Sequence, residues 1–256
     1  MNPTRSILAL LCAAALSACG DSSVQNIIAP ATGAHVKFYN FAMGAPGVNF
    51  YSDATKVTAV SSSSGVESTT GTVYGGVGSG GLYNAIAPGA HVLTGKIAAA
   101  TDNGLAISNL STTLADGKYY SYYTSGPYDP VAKTADSFIV EDPFVSQIDY
   151  TQAFVRFVNA IYNAAPLVLY AKNTTTGVEV PVGAAVAYKT AGAFTPLPGA
   201  FYDLSARYAG SSTNLFTRTG VSFSAGYVYT ISARGDITIV STTATNRPFL
   251  DNTANR

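Results

Sequence analysis

The chain repeats itself. Ala34-His35-Val36-Lys37-Phe38-Tyr39-Asn40 returns as Ala153-Phe154-Val155-Arg156-Phe157-Val158-Asn159, 119 residues later. Ala45-Pro46-Gly47-Val48-Asn49-Phe50 matches Ala165-Pro166-Leu167-Val168-Leu169-Tyr170 at an offset of 120. Gly65-Val66-Glu67 matches Gly177-Val178-Glu179 at 112, Pro88-Gly89-Ala90 matches Pro198-Gly199-Ala200 at 110, and Gly117 with Tyr120 matches Gly226 with Tyr229 at 109. Landmarks recurring in one order imply two copies of one structural unit, a stronger constraint on the fold than any local propensity. The offset shrinks between Phe50 and Gly65, which places an insertion of about eight residues at the serine run Ser61 to Ser64, where a surface loop tolerates added length.

Each copy reads as all-β. Val36, Phe38 and Asn40 alternate with His35, Lys37 and Tyr39, whereas Phe154 to Val158 is almost wholly apolar, the pattern of a strand covered on both faces. Val48 to Tyr51, Ala90 to Ala98, Lys118 to Thr124, Ser137 to Val140, Phe201 to Tyr208, Tyr227 to Ala233 and Ile237 to Ser241 are further strand candidates, separated by Gly, Pro, Asn and Ser. Glu, a favoured helix residue, occurs only at Glu67, Glu141 and Glu179. Strands at this spacing predict sandwiches with Greek-key connections: a first repeat over 34–143 and a second over 152–242. The boundary falls near Pro143 to Thr151, and 243–256 is left as a C-terminal tail.

Ahead of the repeats lies an address. Met1 to Arg5 carries one positive charge, and the apolar run from Ser6 to Leu16 is too short to span a bilayer. It ends in Leu16-Ser17-Ala18-Cys19, which resembles a bacterial lipobox. That resemblance implies a signal peptide over residues 1–18, cleavage before Cys19 and diacylglycerol on the Cys19 thiol, with the membrane as partner through this anchor. Of two cysteines, Cys12 leaves with the leader, so Cys19 remains without a disulfide partner. Gly20 in place of Asp after the modified cysteine implies the outer membrane. Gly20 to Gly33 reads as a tether. With 14 Lys and Arg against 14 Asp and Glu, no basic field exists to hold nucleic acid.

Val-Lys/Arg-Phe-x-Asn, Ala-Pro-x-Val-x-Phe/Tyr, Pro-Gly-Ala before a strand and Gly-x-x-Tyr at the start of another together resemble the domain of unknown function 4397. The resemblance runs over residues 34–242. It implies tandem immunoglobulin-like or transthyretin-like β-sandwich domains on an exported, lipid-anchored bacterial protein, and it implies no catalytic residue. The second copy departs from the pattern at Thr174-Thr175-Thr176 and at Lys189.

His35 and His91 align with Phe154 and Phe201, so both positions accept an aromatic ring and read as packing or edge positions; no metal site is expected. Gly76-Val77-Gly78-Ser79-Gly80-Gly81 spells G-x-G-x-x-G, but no helix follows to meet a pyrophosphate, so no cofactor is expected. Asp129, Asp136, Glu141 and Asp142 form the densest acidic group and read as turn residues beside Pro130 and Pro143. Parity with Tyr229 and Ile231 turns Tyr120 and Tyr122 inward. Tyr119 and Tyr123 then point outward with Ser121, near Tyr128, as an aromatic strip able to stack on a sugar ring or a protein partner.

The expectation is therefore a non-enzymatic, lipid-anchored protein of the bacterial cell envelope with a structural or interaction role. The alternative is a carbohydrate-binding or weakly hydrolytic protein that uses Tyr119 and Tyr123 with Asp129. Glycan binding separates the two.

Overall fold

In the computed structural model, residues 32–58, 70–144 and 147–255 are described. Cys19, the lipobox, the tether to residue 31, the serine run and Gly65-Val66-Glu67 lie outside the described residues.

The first repeat contains β1 (Ala34–Asn40), β2 (Val48–Ser52), β3 (Thr55–Lys56), β4 (Gly76–Val77), β5 (Asn84–Ile86), β6 (Gly89–Ile97), β7 (Ala106–Leu114), β8 (Tyr119–Asp129) and β9 (Thr134–Glu141). The second contains β10 (Gln152–Asn159), β11 (Leu167–Asn173), β12 (Glu179–Pro181), β13 (Thr190–Ala191), β14 (Thr195–Pro198), β15 (Ala200–Tyr208), β16 (Phe216–Phe223), β17 (Val228–Arg234) and β18 (Phe249–Ala254). One sheet of each repeat runs β4-β1-β8-β9 or β13-β10-β17-β18, with β5 or β14 added on the first strand. The other runs β3-β2-β6-β7 or β12-β11-β15-β16. The two halves are thus the same sandwich built twice, each with its own sheets. The glycine string forms β4 and a 3-10 turn rather than an α-helix.

The registers agree as well as the order. β1 and β8 pair in parallel with His35 opposite Tyr119, and β10 and β17 pair in parallel with Phe154 opposite Val228. Each sandwich closes on its own core: Val36, Phe38, Val48, Phe50, Leu93, Ile97 and Tyr122 in the first, Val155, Phe157, Leu167, Leu169, Leu204 and Ile231 in the second.

That inward set corrects the sequence alignment by one residue in β2 and β6. Val48 and Phe50 correspond to Leu167 and Leu169, an offset of 119, because a one-residue slip would turn every side chain to the opposite face. Under this register Tyr51 falls on Tyr170, and both rings lie 4.2 Å from a cation on the neighbouring strand, Lys96 and Arg207. His91 then matches Tyr202, not Phe201. His91 Nε2 lies 2.8 Å from the Ala87 carbonyl and the Tyr202 hydroxyl donates to the Pro198 carbonyl at 2.8 Å, each four residues back. His91 is a turn clamp.

The last strand is the second correction. Ile237 to Ser241 is not a strand, and the expected C-terminal tail supplies β18, antiparallel to β17 with Tyr229 opposite Ala254. The domain therefore extends to residue 254, because β17 needs an outer neighbour as β8 needs β9.

Two motifs acquire a physical reason. In Gly-x-x-Tyr, Gly117 (φ 68°) and Gly226 (φ 81°) make a left-handed turn, and the hydroxyls of Tyr120 and Tyr229 accept the Ala115 and Ser224 N–H groups at 3.1 Å. This is the tyrosine corner of β-sandwiches. The Asn ending the first motif is buried: Asn40 donates to the Thr72 carbonyl and accepts from Ala42 N–H, and Asn159 does the same with Val186 and Ile161. Both cap backbone groups where β1 and β10 leave their sheets.

Candidate functional site: the seam between the repeats

The outward faces of β1-β8-β9 and β10-β17-β18 are turned to each other. Tyr39, Phe41, Tyr123 and Phe138 of the first repeat share one apolar cluster with Val158 and Ala160 of the second. Tyr39, Tyr123 and Phe138 form a stacked ladder across three strands, with centroids 4.5 and 4.8 Å apart. The first repeat supplies large rings where the second supplies small residues, so the surfaces fit without competing for volume.

Beside the ladder lies a two-part polar clasp. The cation of the Val-Lys/Arg-Phe motif points to the seam in both repeats, and each grips the end of the last strand of the other repeat. Arg156 is fully buried; it donates to the Glu141 carbonyl at 2.9 Å, to Thr230 Oγ1 at 3.0 Å and to Asp142 Oδ1. Lys37 Nζ donates to the Ala254 carbonyl and to Asn255 Oδ1, both at 3.1 Å. Asp142 and Asn255 occupy equivalent places, since their N–H groups bond the Tyr119 and Val228 carbonyls at the starts of β8 and β17. Ser121 donates to Asp142 and Asn255 donates to Thr230, a further equivalent pair. The two halves of the clasp are related by an approximate exchange of repeats, as in an isologous dimer folded into one chain.

Electrostatics follow from burial. Asp142 accepts the Tyr83 hydroxyl at 2.5 Å and Ser121 Oγ at 2.8 Å besides its ion pair, so its negative charge is hydrogen-bonded on all sides. Burial pulls the Lys37 amine down to about 8; the nearby Asp142 charge opposes this and Arg156 adds to it. Burial likewise pushes the Tyr123 phenol up to about 12 and the Tyr83 phenol well above its ordinary range. At the rim, Asp136 accepts from Tyr188 at 3.0 Å and from Lys189 at 2.7 Å, both across the seam. Arg234 Nε bonds Asp251 while its guanidinium lies over Tyr74 of the first repeat, 4.7 Å from the ring centroid. Gly75 sits beside that guanidinium at φ 79°, a left-handed conformation that favours glycine.

The expected aromatic strip is accordingly redefined. Parity holds: Tyr122 lies in the first core, and Tyr123 leaves it. Tyr123 is nevertheless fully buried, with its hydroxyl 3.2 Å from Ser232 Oγ, because the second repeat covers this face. Tyr119 is half-buried among His35, Tyr83 and Phe144, its ring stacked 4.5 Å from that of His35. Tyr128 packs against the first core. These three tyrosines do not assemble into an open stacking platform.

The acidic group disperses in the same way. Asp129 holds its own turn through the Val131 and Ala132 N–H groups, bonds that keep its carboxyl below the usual range. Glu141 pairs with Lys118 at 2.9 Å, and Asp136 and Asp142 are spent on the seam. Among the described residues no group of three or more His, Cys, Asp or Glu could hold a metal ion.

Sequence reasoning missed Lys37, Arg156 and Asn255. The signal was a long cation at mid-strand in both copies, between apolar neighbours; Asn255 had none, being assigned to a tail.

No family model matches the chain, and no curated protein matches it. Among solved structures it is similar to a protein of Bacteroides ovatus titled a "putative cell adhesion protein", at 11% identity and a TM-score of 0.22, over 88% of this chain and 96% of that one.

Proposed function

We propose that this chain is a non-enzymatic protein of the bacterial cell envelope, anchored by lipid at Cys19 to the outer membrane, in which two repeats act as one supporting body for interaction with an envelope protein or glycan. One observation carries the structural half of this reading. The side chains best suited to chemistry or stacking, among them Asp142, Arg156, Lys37, Asp136 and Tyr123, are engaged in joining the repeats. The lipobox-like Leu16-Ser17-Ala18-Cys19 and the resemblance to the domain of unknown function 4397 support the compartment. The test is metabolic labelling with radioactive palmitate followed by proximity labelling in intact cells. Label that depends on Cys19, with envelope components as neighbours, supports the reading. Label that is absent, or that survives Cys19→Ala, overturns the anchor.

A further inference from the structure

The two halves of the clasp are equivalent in place and different in chemistry. In one, a guanidinium meets a carboxylate, a pair that stays ionic because arginine keeps its proton and a carboxylate is a poor electrophile. In the other, a primary amine meets a carboxamide, and these two groups can condense. We propose that Lys37 and Asn255 form an intramolecular isopeptide bond that locks the first strand of the first repeat to the end of the last strand of the second.

The geometry sets the two groups side by side. Lys37 Nζ donates to Asn255 Oδ1 at 3.1 Å, which holds the amine against the carboxamide that it would attack. The Lys37 side chain is buried, with its amine 4.4 Å from the centroid of the Tyr83 ring. Burial favours the neutral, nucleophilic amine and outweighs the preference of the ring face for a cation, in line with the lowered basicity of Lys37. Asn255 is held from its other end, since Nδ2 donates to Thr230 Oγ1 at 2.6 Å. The charged groups facing this pair, Asp142 and Arg156, offset each other in their ion pair.

The step balances without an oxidant or a reductant. The neutral Nζ adds to Asn255 Cγ, the Cγ–Nδ2 bond breaks, and Nδ2 leaves as ammonia while an Nζ–Cγ amide forms. One proton passes from Nζ to the departing nitrogen. The product joins residues 218 apart in the chain, so it closes nearly the whole folded body into a loop. Unlike the ionic half, such a clasp does not open under load or at high salt.

Mass spectrometry of the intact, natively purified chain tests this. The expected result is a wild-type mass one ammonia below that calculated for the same processed chain, and a branched proteolytic peptide joining the segments around Lys37 and Asn255. Lys37→Arg and Asn255→Ala should each keep the full mass calculated for their processed chains. If a variant does not fold, the wild-type branched peptide decides alone. Wild-type protein that keeps its full mass after incubation at pH 9, where the amine is largely neutral, overturns the proposal. So does loss of ammonia without a branched peptide, which would report a succinimide at Asn103-Gly104.

Discussion

Removing Asp142 should cost far more than removing any surface carboxylate of this protein. In Asp142→Ala the Arg156 guanidinium stays fully buried with only the Glu141 carbonyl and Thr230 Oγ1 as acceptors. Breaking one side of a buried ion pair destabilises by about 3–5 kcal/mol, and the two remaining acceptors put this case near the lower figure, about 3 kcal/mol. Arg156→Met should cost a similar amount, because Asp142 keeps the Tyr83 and Ser121 hydroxyls but loses its counter-charge. The double variant Asp142→Ala with Arg156→Met removes both charges and should recover much of the loss, giving a coupling of about 2 kcal/mol or more. Equilibrium urea unfolding of the four proteins completes the cycle. Single-variant losses below about 1 kcal/mol, the value of an exposed pair, would show that the seam is wet or open and would refute the reasoning.

Three further outcomes follow from the same contacts. Tyr120→Phe and Tyr229→Phe each remove the acceptor of a backbone N–H at a strand corner and should lower stability by about 1–1.5 kcal/mol, read by urea midpoint, with nearly equal effects in the two repeats. Asn40→Ala and Asn159→Ala each orphan one buried backbone N–H, that of Ala42 or Ile161, while the Thr72 and Val186 carbonyls keep the Val48 and Leu167 N–H groups; each should cost about 1–3 kcal/mol, again as a matched pair, measured by thermal unfolding. Where Lys37 remains a free amine, its folded value of about 8 lies below the 10.5 of the unfolded chain, so the unfolded state binds more protons between them. Stability should therefore rise with pH from about 8 to about 10.5, by up to about 3 kcal/mol, in an Asn255→Ala chain followed by urea titration; Asp142 and Arg156 are the charged groups facing the amine, and a flat profile would contradict its burial.

Much of this architecture was legible in the residues, and the part that was not has a physical cause. Offsets of 119 and 109 predict that His35 and Tyr119 stand to each other as Phe154 does to Val228, and the parallel pairings obey that relation. The letters of Ala-Pro-x-Val and Pro-Gly-Ala align one residue away from the structural match, because small turn residues recur by composition, whereas Val48, Phe50, Leu167 and Leu169 must face a core. β18 was hidden because Phe249-Leu250-Asp251-Asn252-Thr253-Ala254 has no apolar alternation; it is an edge strand held by β17. The outward turn of Tyr123 was readable and its burial was not. An apolar outer face has the same pattern whether water, a glycan or a second copy of the fold covers it, and here the cover lies about a hundred residues downstream, at Ser232.

The central claim is that two repeats unfold as one body because their matching faces share a buried seam. The chain has no tryptophan, so Tyr51→Trp and Tyr170→Trp, at equivalent outward positions beside Lys96 and Arg207, place a single fluorescent reporter in each repeat. Urea unfolding followed by each reporter should give one transition with the same midpoint and slope. Two separate midpoints, with one repeat melting while the other stands, would contradict the account.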